Sequence, residues 1–236
     1  MTQPLHILSA GAAFGLITAS RAAFEARADC AIIAQFAAVG TTEERVRAAL
    51  DAVGEGILFV LTPAVITTLI ADFPGRIVPA GTLGTTPGAL ACAGDPSAYD
   101  IGTVAALRAT LAGLDSIYTG DLTKSTIGRH LVRVIEGLGL SDHGPEVIGF
   151  PGGAKAVEML VEAGDKRALA CAQLTEIRQN PQAHAVGPLP GEYALDTEYA
   201  LAVIAGPQAD LAHAFAALLT APEQAPARAK SGFDPV

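Results

Sequence analysis

Short apolar runs alternate with longer stretches of helical periodicity along almost the whole chain. A strand covered on both faces reads as a continuous apolar run, whereas a helix lying on a sheet reads with a period near 3.6. A chain that alternates the two is an α/β protein with a mainly parallel sheet. Residues 5–8, 30–36, 57–61, 89–93, 116–118, 146–150 and 169–174 read as strands. Residues 14–28, 41–52, 64–71, 103–111, 125–138, 154–163 and 210–219 read as helices. Thr41 and Glu44 form a T-x-x-E capping pattern, Thr103 is a cap for the fourth helix, and Gly139 and Gly164 close the fifth and sixth. Residues 74–88, rich in Pro, Gly and Thr, suit an extended crossover better than a helix, and the apolar stretch 193–204 suits a return crossing.

The 236 residues suffice for one large domain or two lobes that each bury a core. Lys and Arg number 15 against 24 Asp and Glu, a net charge of −9, which opposes any sequence-independent hold on a nucleic-acid backbone. Half the residues are apolar, which excludes disorder. Cys30, Cys92 and Cys171 are isolated, with no metal-ligand or disulfide spacing, and read as small buried hydrophobes. The most apolar segment, residues 5–19, is broken by His6, Ser9, Gly11, Gly15 and Thr18, so no membrane insertion is expected. The same segment carries no Lys or Arg ahead of its apolar part, which predicts a cytoplasmic protein, or a periplasmic one if a leader has been removed.

Four strand-to-helix turns are built from small or hydroxyl-bearing residues: Ser9 to Ala13 with Gly11 and Ala12, Val39 to Thr42 with Thr41, Lys124-Ser125-Thr126, and Pro151-Gly152-Gly153. Each leaves backbone N–H groups at a helix start, where the dipole favours an anion. Any one of them also reads as a helix that caps itself. There is no G-x-x-x-x-G-K-[ST] loop, the spacing of Gly11 and Gly15 does not fit G-x-G-x-x-G, and no G-x-S-x-G elbow exists. No cofactor and no metal are therefore expected, and the partner is a small anionic ligand. Lys124 and Arg129 flank the third turn. They read either as solvated surface groups or as partners of a ligand carboxylate. His130, on the flank of the Ile127 stripe, reads either as a satisfied core residue or as a proton carrier, since an imidazole titrates near neutrality. Gln173 closes a buried strand and either donates to a ligand or ties down a loop.

The run YDIGTVAALRATLAGLDSIY from Tyr99 to Tyr118, the later TIGRHLVRVIEGLGL, and ALACAQLTEI followed by GPLPGEY resemble the molybdate-binding component of ABC transporters. The resemblance covers nearly the whole chain. It implies the two-lobed type II periplasmic-binding-protein fold, with one lobe from residues 1–84 and 193–236, the other from 85–192, and a hinge near residues 83–86 and 192–195. It also implies an oxyanion held by hydroxyl-bearing turns after the first two strands. Here Ala12 and Ala13 stand where a serine is expected, while the second turn offers Thr41 and Thr42.

The resemblance extends to aconitate isomerase, an enzyme on the same scaffold. The basic third turn and the absence of a basic leader segment turn the expectation toward an intracellular isomerase that shifts a double bond in a small unsaturated di- or tricarboxylate. His130 and Lys124 are its first proton carriers, with Glu43 and Glu176 behind them. Ser9, Gly11, Ala12, Ala13, Thr41, Thr42, Ser125, Thr126, Arg129, Gly152, Gly153 and Gln173 are the expected ligand contacts. The alternative is the substrate-binding component of an ABC transporter for molybdate, tungstate or a small carboxylate, whose partner is the permease.

Overall fold

Strand and helix alternate as the periodicity predicts. β1 (Leu5–Ala10) leads through a 3-10 turn at Gly11–Ala13 into α1 (Phe14–Ala28), followed by β2 (Ile32–Ala37), α2 (Val39–Asp51), β3 (Ile57–Leu61), α3 (Pro63–Asp72) and the long strand β4 (Ile77–Cys92). Next come α4 (Val104–Ala112), β5 (Ser116–Gly120), α5 (Thr126–Gly137), β6 (Glu146–Phe150), α6 (Gly153–Ala163), β7 (Ala168–Gln173) and the short α7 (Leu174–Ile177). β8 (His184–Pro188), β9 (Asp196–Ile204), α8 (Ala209–Thr220) and α9 (Ala225–Ser231) complete the chain. The structure, a computed structural model, describes residues 4–52 and 56–234. They form two compact units, one of Met1–Thr85 with Glu198–Val236, the other of Thr86–Thr197. The chain leaves the first unit within β4 and re-enters it within β9.

In the first unit β1 pairs in parallel with β2 and β3, with Ala10 opposite Ala37 and Ser9 opposite Val60, and β9 runs antiparallel to β3. The strands are apolar because helices cover them: Leu16, Ile17 and Phe24 of α1, Val46 and Leu50 of α2, Leu69 of α3 and Phe215 of α8 share a core with Ile7, Leu58, Phe59 and Val203. The C-terminal segment is seated by Phe233, whose ring meets Tyr199 edge-on at 6.3 Å, and by the Asp234 N–H, which donates to the Thr85 carbonyl at 2.7 Å. A β-carbon at Gly84, where φ is +126°, would strike the Asp234 carbonyl, so this junction requires glycine.

In the second unit β5 pairs in parallel with β6 and β7, while β4 runs antiparallel to β7 and β8. The alternation along β7 sorts its two faces. Leu169 and Cys171 join Leu107, Leu111, Ile127, Leu131 and Val134 of α4 and α5, whereas Ala168, Ala170 and Ala172 meet Val157 and Leu160 of α6. The alanines on that second face are small enough for α6 to lie close to the sheet. Gly128, in the first turn of α5, has no room for a side chain: a β-carbon would meet the carbonyl oxygens of Gly120 and Asp121. Gly128→Ala is expected to lower stability by about 1–3 kcal/mol, read as a lower denaturant midpoint at unchanged slope.

Several sequence expectations are corrected here. The T-x-x-E pattern predicts that the second helix starts at Thr41, but α2 starts at Val39 with Ala38 as its cap, and the Thr42 N–H donates to the Ala38 carbonyl at 2.9 Å. Val39 is buried, and packing it draws the helix start back along the chain. The stretch 74–88, expected as an extended crossover, is extended from Ile77 onward and continues without a break into the strand expected at 89–93, so the two are one strand, β4, with positive φ at Gly81 and Gly84. Ser9 and Ala10 belong to β1, not to the turn after it.

Candidate functional site

Parallel pairing puts the carboxyl ends of β1, β2 and β3 on one edge of the first unit, and each leads directly into a helix start. The caps of α1, α2 and α3 are Ala13, Ala38 and Thr62, and none of the three makes a side-chain capping hydrogen bond. No side chain thus caps the first-turn N–H groups at this edge, although the Phe14 N–H that opens α1 donates to the Gly11 carbonyl of the preceding 3-10 turn. Gly11 and Thr41 are half-buried there, and Ala12 and Ala13 are buried. Ser9 is fully buried, and its hydroxyl donates to the Ala10 carbonyl at 2.9 Å. Thr42 is buried too, and its Oγ1 donates to the Ser9 carbonyl at 3.2 Å, tying α2 to β1. Thr42→Val is expected to cost about 1 kcal/mol in a denaturation experiment through loss of that bond. Phe14, 39% exposed at the start of α1, meets Phe36 of β2 edge-on at 5.0 Å, so this edge also carries an aromatic pair. Glu43 is not directed to a proton-transfer role: it accepts from Arg47, which also bridges to Asp72.

The second unit repeats the arrangement. β5, β6 and β7 end together, with Gly120 opposite Phe150 and Thr119 opposite Cys171, and α5, α6 and α7 start from those ends. Ser125 caps α5 by accepting from the Gly128 N–H at 3.3 Å, and Thr126 opens the helix. Asp121 governs the turn before it. Its Oδ1 accepts from the Thr123 hydroxyl and from the N–H groups of Thr123 and Lys124, all at 2.8 Å, and these bonds hold its carboxyl below the usual range. Arg129 Nη1 donates to the Thr123 carbonyl at 2.8 Å. Arg129 thus bonds a neutral carbonyl of its own turn, and Lys124 lies near the Asp121 carboxyl that it helps to lower. His130 is likewise engaged: its Nε2 lies 2.8 Å from the Tyr193 carbonyl, and the Tyr193 ring rests against Gly137 one face along α5.

The start of α6 is occupied by Glu176. This residue is only 7% exposed, and its carboxylate accepts from the N–H groups of Gly153 and Ala154 and from that of Gln173 at 3.2 Å. Burial pushes its carboxyl up to about 7, against the downward pull of those three N–H groups. Gly152 is the extended residue before the helix, and a β-carbon on Gly153 would collide with the Glu176 carboxylate. Gln173, 2% exposed, donates from Nε2 to Thr197 Oγ1 at 2.9 Å, and the Thr175 N–H donates to Thr86 Oγ1 at 3.3 Å. The structure thus gathers Gly11, Ala12, Ala13, Thr41 and Thr42 at the edge of one unit. It gathers Ser125, Thr126, Gly152, Gly153 and Gln173 at the edge of the other, ties Ser9 and Arg129 into local hydrogen bonds, and ties His130 to the distant Tyr193 carbonyl.

Of the two residues that shape the second edge, Asp121 is not among the sequence expectations and Glu176 is expected there only as a proton carrier behind His130 and Lys124. Asp121 had a signal in its spacing before Thr123 and Lys124, that of an Asx turn. Glu176 had one in Gln173-x-x-Glu176, a capping box built on a glutamine rather than the usual Ser or Thr. The three cysteines are free and buried, and burial raises each thiol, that of Cys171 to about 12. Among the described residues no group of three or more His, Cys, Asp or Glu is placed to hold a metal ion, and no helix is long and apolar enough to cross a membrane.

Comparison with known proteins assigns the fold and the family. The periplasmic molybdate-binding protein of Azotobacter vinelandii superposes with a TM-score of 0.71 at 15% identity, over 98% of this chain and 99% of that one. The sulfate-binding protein SubI of Mycobacterium tuberculosis gives 0.73 at 15% identity, over 100% and 88%. The tungstate ABC transporter structure from Geobacter sulfurreducens gives 0.62 at 16%, over 93% and 95%. These are likenesses of fold, the two-lobed mixed α/β architecture of periplasmic binding proteins. No curated protein sequence matches the chain.

Residues 5–234 match a family of solute-binding proteins, not of isomerases, which overturns the expectation of an isomerase with His130 and Lys124 as proton carriers. The family is also extracellular, against the expectation of a cytoplasmic protein. From residue 5 to residue 234 this chain belongs to the bacterial extracellular solute-binding proteins.

Proposed function

We propose that the chain binds a small oxyanion of the molybdate, tungstate and sulfate group outside the cytoplasm and delivers it to the permease of an ABC transporter. The observation that carries this reading is the edge of the first unit, where three helix starts lie side by side with no side-chain cap on any of them. Such starts present N–H groups and a positive dipole end to an anion. Similar folds support the choice of ligand, since the relatives from Azotobacter, Mycobacterium and Geobacter are described as molybdate-, sulfate- and tungstate-related. Gly11, Ala12, Ala13 and Thr41 are the proposed contacts in the first unit, with Thr42, whose N–H and hydroxyl donate to Ala38 and Ser9, holding the turn behind them, and Ser125, Thr126 and Gln173 are the proposed contacts in the second. Alanines in the first turn leave the N–H donors in place and make the Thr41 hydroxyl the main side-chain donor there. Thr41→Val is expected to raise the dissociation constant about tenfold or more, measured by calorimetry.

A second reading, a small dicarboxylate, is favoured by the Phe14 and Phe36 pair, which offers apolar surface beside the N–H groups. A similar fold is seen in MatC from Rhodopseudomonas palustris with bound malate. A thermal-shift series with molybdate, tungstate, sulfate, malate and succinate separates the two. A ligand at 100 times its dissociation constant adds about 2.7 kcal/mol to folding. Stabilisation by the tetrahedral anions supports the first reading, and stabilisation by the carboxylates alone supports the second.

A further inference from the structure

Among the described residues, the start of α6 is a helix start held by a carboxylate of the protein itself. Glu176 reaches it from α7, and Gly153 makes room for it by having no β-carbon. The start of α5 lies beside it: the space where Gly120 would carry a β-carbon is bordered by both the Ser125 hydroxyl and the Gly153 N–H. Two glycines, Gly120 and Gly153, therefore keep side chains off a spot flanked by two helix starts, and a buried Glu occupies one of them.

We propose that Glu176 is a resident anion that competes with an external oxyanion for the start of α6, so that anion binding at this edge takes up one proton. This rests on the anion-binding reading above. In the ionised form the carboxylate uses the N–H groups of Gly153 and Ala154, and a second anion beside it meets like-charge repulsion in a buried site. Once protonated, Glu176 releases its claim on those donors and its own O–H becomes a donor to the oxyanion. Burial holds the carboxyl near 7, so the exchange falls in the neutral range. The charged and titratable side chains on the surrounding elements are Lys155, Glu158 and Glu162 on α6, Glu146 on β6, Cys171 on β7, Tyr118 on β5, Asp121 and Lys124 in the turn after it, Arg129, His130, Arg133 and Glu136 on α5, Arg178 after α7, and His184 on β8. None of them contributes to the shift, whose causes are burial and three backbone N–H groups. Lys155 is paired with Glu158 at 3.0 Å.

The test is calorimetry with sodium molybdate and sodium sulfate between pH 6.5 and 8.5, on the wild type in buffers of different ionisation heat and on Glu176→Gln. In parallel, the Glu176 carboxyl and the Gly153 and Ala154 amides are followed by NMR. The wild type is expected to take up close to one proton per anion at alkaline pH and to lose about tenfold in affinity per pH unit above the Glu176 midpoint, with both effects absent in Glu176→Gln. Binding that is independent of pH and buffer in the wild type while Glu176 titrates overturns the proposal, and it needs no variant to fold. If neither anion binds to either protein, the anion-binding reading fails, and the amides then decide the residence of Glu176. Movement of Gly153 and Ala154 with the Glu176 midpoint supports it, and amides that ignore that midpoint overturn it.

Discussion

Replacing Phe215 with alanine is expected to lower the folding free energy by about 3–5 kcal/mol. Phe215 is fully buried on α8, and its ring lies 4.8 Å from that of Phe24 on α1, tilted by 56°. It is therefore the point at which the C-terminal helix, arriving after the return strand, is fixed to the helix that follows the first strand. Truncation removes apolar surface, opens a cavity between α1, α8 and β3, and forfeits an aromatic pair worth about 0.5–1.5 kcal/mol on its own. Glu223→Ala, in an exposed turn nearby, serves as the control and is expected within about 0.5 kcal/mol of the wild type. Urea unfolding of the three proteins measures both values. A loss below about 1 kcal/mol for Phe215→Ala would mean that α8 is not part of the first core.

The second large effect concerns pH. Glu176 has an ordinary carboxyl pKa of 4.5 and one of about 7 in the fold, raised by burial. Below pH 4.5 the group is protonated whether the chain is folded or not, and its contribution to stability is fully present. As pH rises past 4.5 the unfolded chain ionises while the folded one does not, so stability falls, and the loss is complete once pH passes about 7. The size is about 3 kcal/mol for a shift of this extent. Glu25, Asp95 and Asp121 have lowered values through hydrogen bonds and act in the opposite sense, losing stability as pH falls. The clean measurement is consequently the difference between wild type and Glu176→Gln across pH 4.5–8, in which those contributions cancel. The variant is expected to gain about 3 kcal/mol relative to the wild type over that range. Parallel pH profiles for the two proteins would show that Glu176 is not buried as a carboxyl.

The elements legible in the sequence are those with a long period or a clean boundary. The helix 125–138 is the clearest, because Ile127, Leu131, Val134 and Ile135 make one stripe that the core of the second unit takes up, with Ser125 capping it as expected. The strands that precede helices were legible as apolar runs for the same reason of double coverage. α7 and β8 were not, since the four residues of α7 make barely one helical turn and β8, His184-Ala-Val-Gly-Pro, is no apolar run. The local pattern at Thr41 and Glu44 was a sound capping signal, overridden by the burial of Val39 two residues earlier. At the site, the small turns after the strands were visible as helix starts, but the partners of their polar groups were not. Lys124 and Arg129 looked as if they awaited a ligand because Asp121, which organises their turn, acts through three bonds that only the folded loop closes. His130 is satisfied by a carbonyl 63 residues away in sequence, a contact no spacing rule reveals.

Helix starts without side-chain caps are what this chain is proposed to offer to a solute. A crystal grown in saturating tungstate tests it most directly, because tungsten marks its own position by anomalous scattering. A strong peak is expected where tungstate oxygens bonded to that tungsten come within hydrogen-bond reach of the first-turn N–H groups of α1 and α2. A crystal at saturating tungstate with no peak at those N–H groups, or with one only at lysine and arginine side chains on the surface, would contradict it.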